Sequence, residues 1–274
     1  MLDHKISGGS GVQLHVREWG RKDGPELLFI HGWSQCHMCW DKQVTSDLAK
    51  DYRMISLDLR GHGMSEKPAS EEAYTDSRLW ADDVAAVVST LCLNRPIFHV
   101  WSYGGLVLCD YIRHHGADHV GGINFVGAAT TLNTEAFGTF IGPGFFEPFA
   151  DATADDLSKN IAAMRRFLRS VTNNPLPTEE FETALCWNMV VPPEVRGALG
   201  ARNLDNDDVL AGLSVPTLVT QGLEDTIVLP EMGKHILEVC PTAKASWYKD
   251  IGHAPMLEDP NRFNKELREA MVTA

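Results

Sequence analysis

The feature that most narrows the fold is a series of short runs that are apolar without alternation. They are Glu26-Leu27-Leu28-Phe29-Ile30, Met54-Ile55-Ser56-Leu57, Pro96-Ile97-Phe98-His99-Val100, Ile123-Asn124-Phe125-Val126 and Pro216-Thr217-Leu218-Val219-Thr220. Each is too short for a helix and apolar on both faces, the pattern of strands in a parallel sheet covered by helices. Helical spacing fills the gaps: Leu79, Trp80, Val84, Val87, Val88 and Leu91 after the second run, and Leu106, Val107, Tyr111 and Ile112 after the third. Strand alternating with helix predicts an α/β fold with a mostly parallel, doubly wound sheet. Ahead of it, the runs from Lys5 to Ser7 and from Val12 to Glu18 flank Gly8-Gly9-Ser10-Gly11 and read as an antiparallel hairpin.

From Thr130 to Asn206 the alternation stops. Two Phe clusters (Phe137, Phe140 and Phe145, Phe146, Phe149) and amphipathic stretches occur there without a strand signal, and Asn173-Asn174-Pro175-Leu176-Pro177 is a turn between helices. A length of 274 residues accommodates this as an insertion in one domain. The expected division is a core of residues 1–129 and 207–274, with a helical cap, 130–206, inserted before the penultimate strands.

A formal charge of −13 repels phosphate backbones and anionic lipid alike, so the expected partner is a small-molecule substrate, with no nucleic acid and no membrane; a homo-oligomer is left open. The first residues lack the apolar stretch of a signal peptide and no run reaches the ~18 residues of a membrane helix, so the expected location is cytoplasmic. The six cysteines are expected to be reduced thiols.

Val100-Trp101-Ser102-Tyr103-Gly104-Gly105 follows a buried strand and opens a helix. In that context a serine on a sharp turn presents its hydroxyl at the carboxyl edge of the sheet, with small residues where backbones approach closely. Ser-x-Gly recurs at Ser7-Gly8-Gly9 in the polar hairpin, so context separates the two. A serine hydroxyl becomes a useful nucleophile only when a base takes its proton and a third group orients that base. Asp225, in the loop after the strand ending at Thr220, is the expected orienting acid, and His253, beyond a final short strand, the expected base. The order Ser102, Asp225, His253 is the order in which this fold supplies the three roles. An oxyanion formed on attack needs main-chain donors already in place; the expected pair is the amide of Tyr103, at the helix start, and that of Trp33, in His31-Gly32-Trp33-Ser34.

Together with Asp58-Leu59-Arg60-Gly61-His62-Gly63-Met64-Ser65, these motifs resemble the α/β-hydrolase superfamily over residues of about 10 to 129 and 207 to 270, and most closely its branch of non-haem haloperoxidase-like aryl esterases, lactone hydrolases and carbon–carbon bond hydrolases. The resemblance implies a cofactor-independent serine hydrolase acting on an ester, thioester or lactone, with peracid formation as a side activity and no metal or haem. One position departs from the pattern: Val100 stands where Gly is usual, and a β-branched residue there would crowd the turn.

Within the cap, Phe137, Phe140, Met164 and Trp187 join Trp33 as the expected lining of the substrate site, against the blander reading that cap aromatics pack the cap's own core. Arg165, Arg166 and Arg169 would instead suit a carboxylate. Cys36-His37-Met38-Cys39 lacks the second pair that structural zinc needs, so no metal is expected. His114, His115 and His119 suit a helix end, and the loop from Asp58 to Gly63 reads as structural. Two rival functions carry different signatures. A cofactor-free dioxygenase of this superfamily has its acid after the strand before the cap, where this chain has Val126-Gly127-Ala128; a ligand receptor would retain the triad with slow or no turnover.

Overall fold

A computed structural model describes residues 1–272 of the protein. Its single sheet has eight strands in the order β1-β2-β4-β3-β5-β6-β7-β8: β1 (Leu2–Ser7), β2 (Gln13–Gly20), β3 (Glu26–Ile30), β4 (Arg53–Leu57), β5 (Ile97–Trp101), β6 (Gly122–Val126), β7 (Thr217–Gly222) and β8 (Ala243–Tyr248). The hairpin β1–β2 joins β4 antiparallel; every pairing from β4 to β8 is parallel. The doubly apolar runs are thus the inner strands, and β3 to β6 are almost wholly buried. The final short strand, β8, is half-exposed because it lies at the sheet's edge.

Successive residues of a strand point to opposite faces, and β5 shows both faces covered. The Phe98 ring lies 5.8 Å from Tyr111 of the Gly104–His115 helix. His99, on the other face, stacks on Phe29 at 5.0 Å; Phe29 meets Trp40, which meets Phe263 of the Pro260–Val272 helix. The Ser77–Thr90 helix packs on Gly104–His115, burying Trp80, Val84, Val87 and Val88 at the predicted spacing.

Between β6 and β7 the chain runs through the helices Pro143–Ala152, Leu157–Val171, Thr178–Met189, Pro193–Gly200 and Asp207–Ala211. Local chemistry sets their ends. Proline occupies the first turn of Pro143–Ala152 and Pro193–Gly200, where its missing N–H costs nothing, and the Asp156 carboxylate accepts Lys159 N–H at 3.0 Å to cap Leu157–Val171. That helix buries Ala163, Met164, Phe167, Leu168 and Val171, one stripe at 3.6-residue spacing. The segment is pinched where it leaves and rejoins the sheet: Leu132 and Leu204 exchange main-chain hydrogen bonds of 2.8 and 2.7 Å. Among the described residues no helix is long and apolar enough to cross a membrane.

Candidate active site

Ser102 sits one residue past β5 with φ +56°, in the left-handed region that side-chain-bearing residues avoid. The turn is held from both sides: Ser102 N–H donates to Val126 O at 3.1 Å, while Ser102 O accepts from Gly105 and Ala129 N–H. Gly104 and Gly105 follow because a Cβ at either would stand under 3 Å from a carbonyl oxygen, of Ile30 and Ala129 respectively. Val100 does not crowd this turn. It is fully buried in regular pairing between Ile30 and Phe125, and the left-handed bend falls two residues later.

Asp225 follows β7 and His253 follows β8, at the same carboxyl edge of the sheet as Ser102. His253 Nδ1 and Asp225 Oδ2 are 2.7 Å apart, both buried. Asp225 Oδ1 accepts the N–H groups of Ile227 and Val228 at 2.8 and 3.0 Å, and Oδ2 also accepts from Gln221 Nε2 at 3.1 Å. With Nδ1 donating to this carboxylate, the imidazole keeps Nε2 for a proton acceptor. Trp101 Nε1 donates to His253 O at 2.9 Å, tying the histidine loop to the strand that carries Ser102. Gly127 lies at the centre of this arrangement, with φ +45°. A Cβ there would stand 3.0 Å from His253 O, 3.1 Å from its Nδ1 and 3.3 Å from Asp225 Oδ2.

The loop after β3 lies against the serine, since a Cβ on Gly32 would stand 2.8 Å from Ser102 Cβ. Two buried histidines shape it. His31 donates from Nδ1 to Gly32 O and accepts Leu59 N–H on Nε2; His62 donates from Nδ1 to Arg60 O and accepts Ser34 N–H on Nε2. Both rings are therefore neutral, and burial lowers their pKa values to about 4 and about 3. Among the described residues neither the Trp33 nor the Tyr103 main-chain N–H has a protein acceptor, and Tyr103 stands at the positive end of the Gly104–His115 helix.

A small cavity opens on Ser102, lined by Trp33, Tyr103, Leu106, Leu132, Ile141, Phe145 and Val228 among others, with no charged residue. Residues 27–266 match the alpha/beta hydrolase family. The chain belongs to that family. Over 98% of both chains it superposes on the esterase RhEst1 from Rhodococcus sp. ECU1013, at 36% identity and a TM-score of 0.93. It is 25% identical to a non-heme haloperoxidase of Rhodococcus erythropolis and 26% identical to the bifunctional esterase/perhydrolase DCH of Acinetobacter calcoaceticus, each match covering 96% of this chain and 97% of the relative.

Within this alpha/beta hydrolase, the expected lining residues divide. Trp33 borders the cavity; Phe137, Phe140, Met164 and Trp187 do not. Phe140 packs on His235, with ring centroids 4.9 Å apart, and Phe137 is 40% exposed. Met164 is buried inside the helical segment, and Trp187 donates its indole N–H to Gln35 Oε1 at 2.9 Å over a separate cleft. Phe145, in the first turn of the Pro143–Ala152 helix, takes the lining position and meets Trp33 edge-on at 5.2 Å. Leu106, Leu132, Ile141 and Val228 went unnoticed as lining, since each looks like ordinary core in sequence.

The remaining clusters have structural occupations. Asp58 accepts from His15 Nδ1 (2.9 Å), His37 Nδ1 (2.9 Å) and the His37 and Met64 main-chain N–H groups (2.7 and 2.9 Å). Arg17 Nη1 donates to His37 Nε2 at 3.1 Å, so the His37 proton lies on the nitrogen that faces Asp58. A metal beside Asp58 would need a lone pair on that nitrogen where the hydrogen bonds place a proton, and the cluster fits a hydrogen-bonded brace between loops. Cys36 and Cys39 are buried free thiols, pushed up in pKa by burial. His115 bonds Asp82 and His114 bonds Ser77, both on the neighbouring helix.

Proposed function

We propose that this alpha/beta hydrolase is a serine esterase acting through an acyl-enzyme. His253, oriented by Asp225, takes the Ser102 hydroxyl proton as Oγ attacks an ester, thioester or lactone carbonyl. The carbonyl oxygen becomes an oxyanion held by the Trp33 and Tyr103 N–H groups. The imidazolium then protonates the leaving alkoxide or thiolate as its bond to the acyl carbon breaks. Water, deprotonated by the same histidine, releases the acid and restores the serine. The observation that carries this reading is a serine at φ +56° on a strand-to-helix turn whose preceding residue, Trp101, is bonded to the main chain of His253, itself in a buried 2.7 Å pair with Asp225. The names of RhEst1 and DCH agree with it.

The uncharged cavity lining favours a small to medium neutral acyl or aryl group, which would lose its hydration without leaving a charge unpaired. The residues 130–206 act as a cap that contributes Phe145 and Ile141 to that wall. The dioxygenase alternative needs an acid after β6, and Gly127 there leaves no room for one beside His253. The deciding experiment is mass spectrometry after brief exposure to a fluorophosphonate, comparing wild type with Ser102→Ala. A single adduct on Ser102, absent from the variant, is expected, together with a fall of ~10⁴ or more in ester turnover for Ser102→Ala or His253→Ala. No adduct, or near-wild-type turnover in either variant, overturns the proposal.

A further inference from the structure

Arg196, on the Pro193–Gly200 helix, is 1% exposed and has no carboxylate partner among the described residues. Its Nε donates to Ser34 Oγ at 3.0 Å, Nη1 to Ala152 O and Asn160 Oδ1 at 3.0 and 2.8 Å, and Nη2 to Asn188 O at 2.8 Å. Every one of these acceptors is neutral. Other buried arginines of the chain face acids: Arg53 faces Glu18, Arg60 faces Asp83 and Arg202 faces Asp110. A buried cation without a counter-charge is an expensive arrangement that persists only where the surroundings impose it. Burial accordingly lowers the Arg196 pKa to about 10.

Its place in the fold supplies a reason. Arg196 holds both residues of the turn that presents the Trp33 N–H: its main-chain carbonyl accepts Trp33 Nε1 at 3.1 Å, and its guanidinium holds the Ser34 hydroxyl. Ser34 stands at φ +60°, a strained conformation that needs such support. On the far side His62 holds the Ser34 N–H. Gly32, one residue before Trp33, touches Ser102. The resting site therefore contains a desolvated guanidinium bonded to the oxyanion turn, with only neutral groups as its hydrogen-bond partners and Glu194, two residues earlier, as the acid that acts on it without a direct ion pair.

We propose that Arg196 is a positioning residue of the oxyanion hole, holding the Trp33–Ser34 turn and supplying a positive charge whose counter-ion is the tetrahedral oxyanion itself. This rests on the serine esterase reading. Both functions act in the transition state more than in substrate binding, so the predicted signature is a loss in kcat with KM nearly unchanged.

The test compares wild type, Arg196→Met and Arg196→Lys on a 4-nitrophenyl ester, with rates expressed per Ser102 site titrated by fluorophosphonate. In parallel, inhibition by an arylboronic acid, which forms a tetrahedral anion on the serine, is measured. For Arg196→Met, kcat is expected to fall ~100-fold with KM within about threefold, and boronate affinity to fall by a similar factor. Arg196→Lys, which keeps the charge, is expected to recover at least about tenfold of the loss. A Met variant with kcat within about threefold of wild type overturns the proposal. So does a joint loss in kcat and KM with a lowered melting temperature and no recovery by Lys, since that is the behaviour of a cap brace. Wild-type protein with neither turnover nor a Ser102 adduct would instead sink the esterase reading, and this inference with it.

Discussion

At the scale of single residues the site depends on backbone conformations that few side chains tolerate. Gly127 and Gly116 both have positive φ, +45° and +79°, but only Gly127 stands against the His253–Asp225 pair; a Cβ on Gly116 would meet nothing within 4 Å. Replacing each by alanine separates conformational cost from collision. Gly116→Ala is expected to lose about 1–3 kcal/mol of stability with unchanged ester turnover, the cost of placing alanine at φ +79°, ψ 175°, a region that essentially only glycine occupies. Gly127→Ala is expected to lose about 1–3 kcal/mol and at least about tenfold in kcat, because the added methyl displaces His253 from its carboxylate. Urea unfolding and initial rates on both variants decide the matter, and equal kinetics would contradict the placement of Gly127. The glycine's sequence position, immediately after β6, gave no sign of this neighbour.

At the scale of elements the region between β6 and β7 is bonded to the Gly104–His115 helix by a buried ion pair. Arg202 Nη2 meets Asp110 Oδ2 at 2.7 Å, both 1% exposed at the side chain, and Arg202 Nη1 donates to the Tyr103 hydroxyl at 3.2 Å. Arg202→Met leaves Asp110 buried and uncompensated, so a loss of about 3–5 kcal/mol is expected, most of it recovered when Asp110→Leu is added. Urea midpoints of the single and double variants test this; additive losses would exclude the pairing as the cause. What was legible in sequence follows the same division. The inner strands were readable because burial on both faces leaves uninterrupted apolar runs, and Ser102 and Asp225 because each follows such a strand, whereas His253 follows the half-exposed edge strand β8 and was found by its order after the other two. The Phe clusters and Met164 marked the inserted segment as apolar but not which neighbour each side chain meets, since that depends on how its helices and turns pack. Arg196 and Arg202 left no mark, because a buried arginine and a solvated one look alike in sequence.

At the scale of the whole molecule, acid is expected to unfold the protein earlier than its carboxylates alone would dictate. Burial lowers the pKa values of His31, His62 and His99 to about 4, about 3 and about 3, against about 6.5 in an unfolded chain. The unfolded state therefore binds more protons, and stability falls as pH drops from about 6.5 towards 4, by about 1.4 kcal/mol per pH unit for each net proton. Asp110, raised by burial to about 6, binds its proton in the native state and opposes this trend, as do Asp41 and Asp83, which burial raises in the same direction. His15, raised chiefly by its bond to Asp58, contributes stability fully present below its unfolded value and lost at higher pH. Urea midpoints are expected to decline from pH 7 through 6 to 5; a flat or rising series would contradict the neutral buried histidines. The Leu132–Leu204 pinch has a different kind of consequence, for how such a chain diversifies. Because the departing and returning strands of backbone touch, insertions and deletions between them leave the sheet's register alone, and the intervening stretch is free to be lengthened, shortened or exchanged like a cartridge. If Arg196 braces the Trp33–Ser34 turn as proposed, a transplanted stretch without an arginine at the equivalent place would inherit a new pocket wall and a slack turn beside Ser102 together.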